Sequence, residues 1–269
     1  MSHFIDQEAT MSRTNILIAA ILCLVLGANV GLAQGWYLSA NAGYGLGAGT
    51  QALGENYTST GTTSTSEGVY GSFGEGFKFG ASAGYMASSN LGADIGFSYL
   101  LGNSFEQSYK SQGTTSTAKA SGSGFLIVPS VVVSADMNSI KPYAKLGLVI
   151  GFMKVTEELN DSFSGQTYDR TLEETGNLAF GYAGAFGIVV PSGGTVDFFA
   201  EVGINSITYS PGQAEITKAT ANGVDQLPTL TQKVMEYKDS IASTDQNSGM
   251  SVRRAFSSLG INAGVRINL

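Results

Sequence analysis

The sequence predicts an all-β chain, an eight-stranded antiparallel up-and-down transmembrane β-barrel with short periplasmic turns and long outer loops. Three observations predict it. After residue 34, eight segments alternate large apolar residues with small or polar ones. The connections between them alternate between short and long. Charged side chains are only 13% of 269 residues, while glycine contributes 36. These shares are about half and about twice the usual ones.

In the first segment Trp36, Leu38, Ala40, Ala42, Tyr44 and Leu46 alternate with Tyr37, Ser39, Asn41, Gly43 and Gly45. The second sets Phe77, Phe79, Ala81, Ala83 and Tyr85 against Lys78, Gly80, Ser82 and Gly84, and the third sets Leu91, Ala93, Ile95, Phe97 and Tyr99 against Gly92, Asp94, Gly96 and Ser98. The fourth, Phe125 to Ser134, is apolar on both rows around Pro129, so its facing stays open. The fifth opposes Ala144, Leu146, Leu148 and Ile150 to Tyr143, Lys145, Gly147 and Val149. The sixth opposes Leu178, Phe180, Tyr182, Phe186 and Ile188 to Ala179, Gly181, Ala183, Ala185 and Gly187. The seventh opposes Phe198, Ala200, Val202 and Ile204 to Asp197, Phe199, Glu201 and Asn205. The eighth opposes Leu259, Ile261, Ala263, Val265, Ile267 and Leu269 to Ser258, Gly260, Asn262, Gly264, Arg266 and Asn268.

A strand of about 10 residues, rising about 3.3 Å each and tilted by about 40°, covers the roughly 25 Å apolar band of an outer-membrane barrel. A soluble sandwich would carry charged side chains on its second row. Here that row is glycine, serine and asparagine, the filling of a narrow interior. Short turns follow the second, fourth and sixth segments, near Ala87 to Asn90, Ala135 to Lys141 and Pro191 to Thr195, and long connections follow the others. Both chain ends then lie on the periplasmic side. Trp36, Tyr85 and Tyr143 fall near the predicted periplasmic ends and Tyr44 and Tyr99 near the outer ends, where interfacial aromatics belong. A ten-stranded barrel that uses the last loop as an extra hairpin is the rival arrangement.

Residues 1–33 read as a leader. Arg13 precedes an uncharged apolar run, Ile16 to Leu26, and the small residues Gly31 and Ala33 form a cleavage site before Gln34. A single transmembrane helix would need about 20 apolar residues, and Gly27-Ala28-Asn29 interrupts the run. Residues 1–10 fit no leader pattern, and Met11 begins one that does. Cleavage after Ala33 removes the one cysteine, Cys23, and the one histidine, His3. Residues 34–269 form the barrel domain.

Three runs stand out: Gly35-Trp36-Tyr37-Leu38-Ser39, Ile127-Val128-Pro129 with Lys141-Pro142-Tyr143, and the closing Ala255-Phe256-Ser257-Ser258-Leu259-Gly260-Ile261-Asn262-Ala263-Gly264-Val265. In these the sequence resembles the OmpA/OmpX-like eight-stranded outer-membrane barrels, in particular porin-type barrel proteins of Bacteroidota-like bacteria. The resemblance implies residence in the outer membrane of a Gram-negative bacterium, among lipid and lipopolysaccharide, with delivery by the barrel-assembly machinery. Such chains usually end on an aromatic residue, whereas this one ends Asn268-Leu269.

The formal charge of −7 lacks the basic footprint that nucleic acid requires. Gly80-Ala81-Ser82-Ala83-Gly84 matches a nucleophile-elbow pattern, but the mature chain has no histidine to act as base and no strand-to-helix turn there. The glycine-rich run at Gly43 to Gly49 has period 2 and no following helix, so no dinucleotide site is read there. No catalytic, cofactor-binding or metal site is predicted. Loop three gathers Glu157, Glu158, Asp161, Asp169, Glu173 and Glu174 without the close oxygen-ligand spacing of a calcium loop, and reads as a solvated acidic loop. The near-repeat Gly61 to Ser66 and Gly113 to Ala118 reads as projecting hairpin arms, and Leu230, Val234, Met235 and Ile241 allow either a short helix or a strand.

The constellation that carries chemistry is a lumen charge network: Lys78, Lys145 and Arg266 facing Asp94, Asp197 and Glu201. Unpaired charges inside a narrow cylinder are costly, so the six are expected to pair, Arg266 with Glu201 or Asp197. Paired, they plug the lumen; hydrated, they line an ion path. The expected function is therefore a non-enzymatic envelope protein with a structural or surface-recognition role, its long polar outer loops available to an extracellular ligand. The alternative is a narrow passive porin-type channel for small solutes or ions.

Overall fold

The structure is a computed structural model that describes residues 35–269 except 138, 244 and 246. The predicted leader, with His3, Met11 and Cys23, lies outside the described residues. Eight strands form a closed ring: β1 (Gly35–Gly47), β2 (Gly76–Met86), β3 (Leu91–Ser111), β4 (Thr114–Ser134), β5 (Lys141–Phe163), β6 (Leu178–Val190), β7 (Val196–Tyr209) and β8 (Ser258–Asn268). Each pairs antiparallel with its neighbours in chain order. The ring closes between β8 and β1, with Leu38 opposite Ile267 and Tyr44 opposite Ile261. The predicted eight-stranded barrel is therefore the fold, and the ten-stranded rival is excluded: the strands of the last loop do not enter the ring.

The period-2 pattern selects the faces. Leu146, Phe180 and Tyr182 stand 64–70% exposed on the outside, while Tyr143 and Val149 are at most 3% exposed inside. The facing of β4 follows from its neighbours: Phe125, Val131 and Val133 point out, and Leu126 and Val132 point in. Pro129 is tolerated there although it brings no N–H to the ladder. Outside, Trp36 packs on Tyr85 at 5.1 Å near the inner end, and Tyr44 on Phe77 at 5.0 Å near the outer end. Tyr143 departs from its expected place at the lipid interface; it belongs to the inward row of β5 and is buried in the lumen.

The three short turns gather at one end with both ends of the described chain. Leu269 N donates to Trp36 O at 2.9 Å and Asn268 N to Thr195 O at 2.9 Å. At the other end β3, β4 and β5 are 21, 21 and 23 residues long and continue past the ring. They form an outer sheet. On one side it gains the hairpin Gln51–Ser59 and Ser64–Gly71, joined to β3 through a short parallel contact at Tyr57 and Tyr109. On the other it gains Gln166–Thr175, then Gln213–Ala221, then Val234–Lys238. The two near-repeats form the hairpin ends read from the sequence, and the last loop takes its strand alternative over Val234–Lys238.

Leu146 lies about midway along the membrane-spanning part of β5 and is 70% exposed. Leu146→Arg is expected to cost about 2–4 kcal/mol, the penalty of a cation facing lipid at the midplane, measured by reversible urea unfolding in vesicles.

Candidate functional site: a two-layered lumen

The inner half of the lumen is polar. Asp94 accepts two hydrogen bonds, from Tyr37 Oη at 2.9 Å and Ser82 Oγ at 2.8 Å, and forms an ion pair with the Lys145 ammonium at 3.7 Å. Glu201 accepts from Tyr143 Oη at 2.8 Å and Asn262 Nδ2 at 3.2 Å. Strand register explains the crowding. Tyr37 on β1 faces Gly84 on β2, where any side chain would meet the tyrosine ring atoms at 2.2–2.6 Å. Gly84 in turn faces Asp94 on β3, so glycine at position 84 is the condition for Tyr37 to lie over β2 and reach Asp94.

Of the six predicted network residues, the structure brings Asp94 and Lys145 together as an ion pair, 4% and 15% exposed at their side chains. The expected pair of Arg266 with Glu201 or Asp197 does not form. Asp197 and Arg266 are opposite in register, but aspartate is short and turns instead to Ser192 N (3.2 Å) and Asn268 Nδ2 (2.7 Å) at the inner rim. The Arg266 guanidinium stacks over the Tyr37 ring at 4.1 Å and lies 5.6 Å from that of Tyr143. Its Nε is buried without a hydrogen-bond partner among the described residues. Lys78 makes no ion pair among the described residues and lines a cavity of about 90 Å³ with Asn41, Ser82, Asp94, Lys145 and Glu201. A second recess, about 240 Å³, lies at the inner mouth beside Arg266 and Asp197.

The outer half of the lumen is apolar, and sequence reading missed what fills it. Leu100, Leu126, Val149, Met153, Val155 and Ile207 form a buried cluster into which two loop residues insert, Phe73 and Phe256, each 1% exposed. The two rings are 5.6 Å apart, and Phe256 is edge-on to Tyr209 at 6.0 Å. Gly122 on β4 leaves their room, since a Cβ there would fall 2.6 Å from Phe73 Cβ and 2.7 Å from Phe256 Cε1. The available signal was the inward row itself: Leu100, Leu126, Val149 and Ile207 turn apolar at the outer half, and such residues need cover.

Above this cluster, beyond the membrane-spanning segments, the acidic loop departs from its expected solvated state. Glu174 is wholly buried. It accepts from Arg254 Nε at 2.8 Å, Arg254 Nη2 at 2.6 Å and Tyr237 Oη at 2.7 Å, while Arg254 Nη2 also reaches Glu157 at 3.3 Å. Burial opposes the Arg254 charge, but its bonds to Glu174 and the charges of Glu174 and Glu157 outweigh it and raise its pKa. Burial, then the proximity of Glu174, holds the Glu157 carboxyl above the usual range although Arg254 opposes the shift. At the end of β7, in the buried cluster itself, the Tyr209 hydroxyl is without a partner among the described residues. No group of three or more potential metal ligands occurs among the described residues.

These features define the class: a membrane-spanning eight-stranded barrel with a polar inner and an apolar outer lumen and a structured outer sheet. No protein-family profile matches the sequence, and no curated protein matches it. Among solved structures, the chain is similar to Neisserial surface protein A (16% identity, TM-score 0.42, covering 88% of this chain and 100% of that one). It is also similar to the outer membrane protein OprG of Pseudomonas aeruginosa (9%, 0.44, 87% and 96%) and to a major outer membrane protein of Thermus thermophilus (10%, 0.40, 88% and 100%).

Two outcomes follow from the geometry. Asp94→Ala strands Lys145 in the lumen and is expected to cost about 3–5 kcal/mol, more than Arg266→Ala, which loses a stacked cation worth about 0.5–2 kcal/mol; urea unfolding ranks the two. Glu157 has a folded pKa above its unfolded value, so its contribution is most favourable below the unfolded pKa and is lost as pH rises through the folded one. Glu157→Gln is therefore expected to match or exceed the wild-type thermal midpoint at neutral pH, with any advantage vanishing in acid, as followed by circular dichroism.

Proposed function

We propose that this chain is a non-enzymatic outer-membrane protein of a Gram-negative bacterium, an OmpA/OmpX-like barrel that works at the cell surface through its outer sheet while its lumen stays closed. The observation that carries the reading is closure at two heights. Phe73 and Phe256 fill the outer mouth, and Arg266 stacked on Tyr37, with the Lys145–Asp94 pair above it, crosses the inner half. The membrane reading stands on the outward belt of large apolar residues around the ring. Residues 1–33 are a leader removed on export, and delivery passes through the barrel-assembly machinery. Lipid and lipopolysaccharide surround the wall.

The surface role is supported by the length of β3, β4 and β5 beyond the ring and by the flanking hairpins that widen them into one sheet. A folded surface presents fixed side chains to a ligand at lower ordering cost than free loops would. A second reading, a narrow channel, is favoured by one observation, the polar cavity of about 90 Å³ beside Lys78.

Planar-bilayer recording of the refolded mature protein tests the choice. Closed-lumen behaviour is the expected result, with no steady conductance steps. Stable open steps in the wild type would give the channel reading the case.

A further inference from the structure

The outer mouth is shut by a strap that does not belong to the ring. Residues 254–257 run between the last strand of the outer sheet, Ser248–Met250, and β8. The strap bridges to β7 at Thr208 and Tyr209. Phe73 N donates to Ala255 O at 2.8 Å and Ala48 N to Ser257 O at 3.0 Å, so the strap is also tied to the segments around the first arm. Phe256 hangs from it into the barrel, against Phe73 and Tyr209. Toward the inner end lies the polar chamber of about 90 Å³, lined by Lys78, Ser98, Asp94, Lys145 and Glu201.

The strap is further bonded through Phe256 N to Ile207 O at 3.0 Å, Ser72 Oγ to Ala255 O at 3.1 Å and to Ser257 O at 2.7 Å, Ile207 N to Ser257 Oγ at 3.0 Å and Ala255 N to Gln51 Oε1 at 3.2 Å. Two features make its closed position conditional. Its one charged tie is Arg254, gripping Glu174 in a two-pronged contact at 2.8 and 2.6 Å. Glu174 belongs to the hairpin strand Gln166–Thr175, so the tie spans two different loops. A bidentate, charge-assisted contact is the strong class of hydrogen bond and is lost as a unit when its geometry is broken. The closed position also leaves the Tyr209 hydroxyl dry and without a partner among the described residues. Admitting water would satisfy that group, so the shut state carries a local penalty that the Arg254 tie offsets.

We propose that residues 254–257 form an outer gate latched by Arg254 on Glu174, and that release of the latch lifts Phe256 from the mouth and opens the chamber to the exterior. The chamber carries cations and anions in balance, so the solutes it fits are water and small hydrophilic ions of either sign. This rests on the reading of the resting lumen as closed, and it makes that closure conditional.

The test places a single thiol in the chamber, Ser98→Cys, in the full chain with Cys23→Ser, reconstituted in vesicles and exposed to a small, charged, membrane-impermeant methanethiosulfonate. With the strap intact, modification is expected to be slow. Glu174→Gln, which keeps the shape and removes the charge, is expected to speed it by about tenfold or more by shifting the population to the open form. Phe256→Ala is expected to do the same. Glu173→Gln, one residue away and paired with Lys154, is expected to leave the rate unchanged. Tyr209→Phe, which removes the dry hydroxyl, is expected to slow the Glu174→Gln variant.

Heat-dependent electrophoretic mobility, together with the β-sheet circular dichroism signal, selects the variants that retain the barrel. Fast labelling in Phe256→Ala with no change in Glu174→Gln would overturn the latch. Slow labelling in both would overturn the gate. Rapid labelling with the strap intact would instead overturn the closed-lumen reading on which the gate depends.

Discussion

Closing eight strands into a ring leaves an interior just wide enough for side chains, and the rest of the molecule answers to that width. Each inward residue must be small, or reach a partner across the barrel, because water enters only where a cavity remains. Tyr37 lies over β2 and reaches Asp94 because position 84 is glycine. Phe73 and Phe256 fit because position 122 is glycine. The high glycine content is thus the counterpart of a few large groups inside a narrow tube.

The same width sorts the chemistry by height. In the inner half, carboxylates gather hydroxyl and amide donors, with Lys145 as an ionic neighbour of Asp94, and burial is tolerable because the carboxylates are hydrogen-bonded. In the outer half, the inward rows of β3, β4, β5 and β7 become apolar, and the ring alone cannot cover them. Cover comes from the two loops that carry Phe73 and Phe256. Those loops must then be held at fixed height above the ring. The outer sheet does this, because it continues the hydrogen-bond ladder of β3, β4 and β5 without a break in topology.

The barrel was legible in the sequence because its signal is periodic and repeated eight times: a one-residue slip in register would send every large side chain to the wrong face. Lys145 with Asp94 was legible as part of a set of inward charges. The partner of Arg266 was not. Opposition across a strand pair brings Cα atoms close, but side-chain length and competing donors decide contacts, and the short Asp197 finds its donors at the Ser192 turn and Asn268. The Arg254–Glu174 contact links residues 80 positions apart through two loops; no local period encodes such a pair. Glu174 looked like one more solvated acid among six because its burial is created by chain that arrives later.

Stability and closure draw on different groups. The ring is held by backbone ladders and by lipid around its outer face, and removing Phe256 or Glu174 cuts none of the ladders between β1 and β8. The mouth, by contrast, depends on a short strap bonded to β7, Ser72, Phe73, Ala48 and Gln51, on one bidentate ion pair and on two phenylalanine rings. Fluctuations concentrate where fewer contacts must break, and opening at the strap breaks fewer than opening of the ring ladders. The polar chamber beneath then matters physically. A purely apolar interior would gain little from contact with water, whereas the Lys78 ammonium, which makes no ion pair among the described residues, gains solvation once the mouth admits it. In the proposed gate, the closed state balances apolar burial in the outer half against incomplete solvation in the inner half, with Arg254 tipping that balance toward closure.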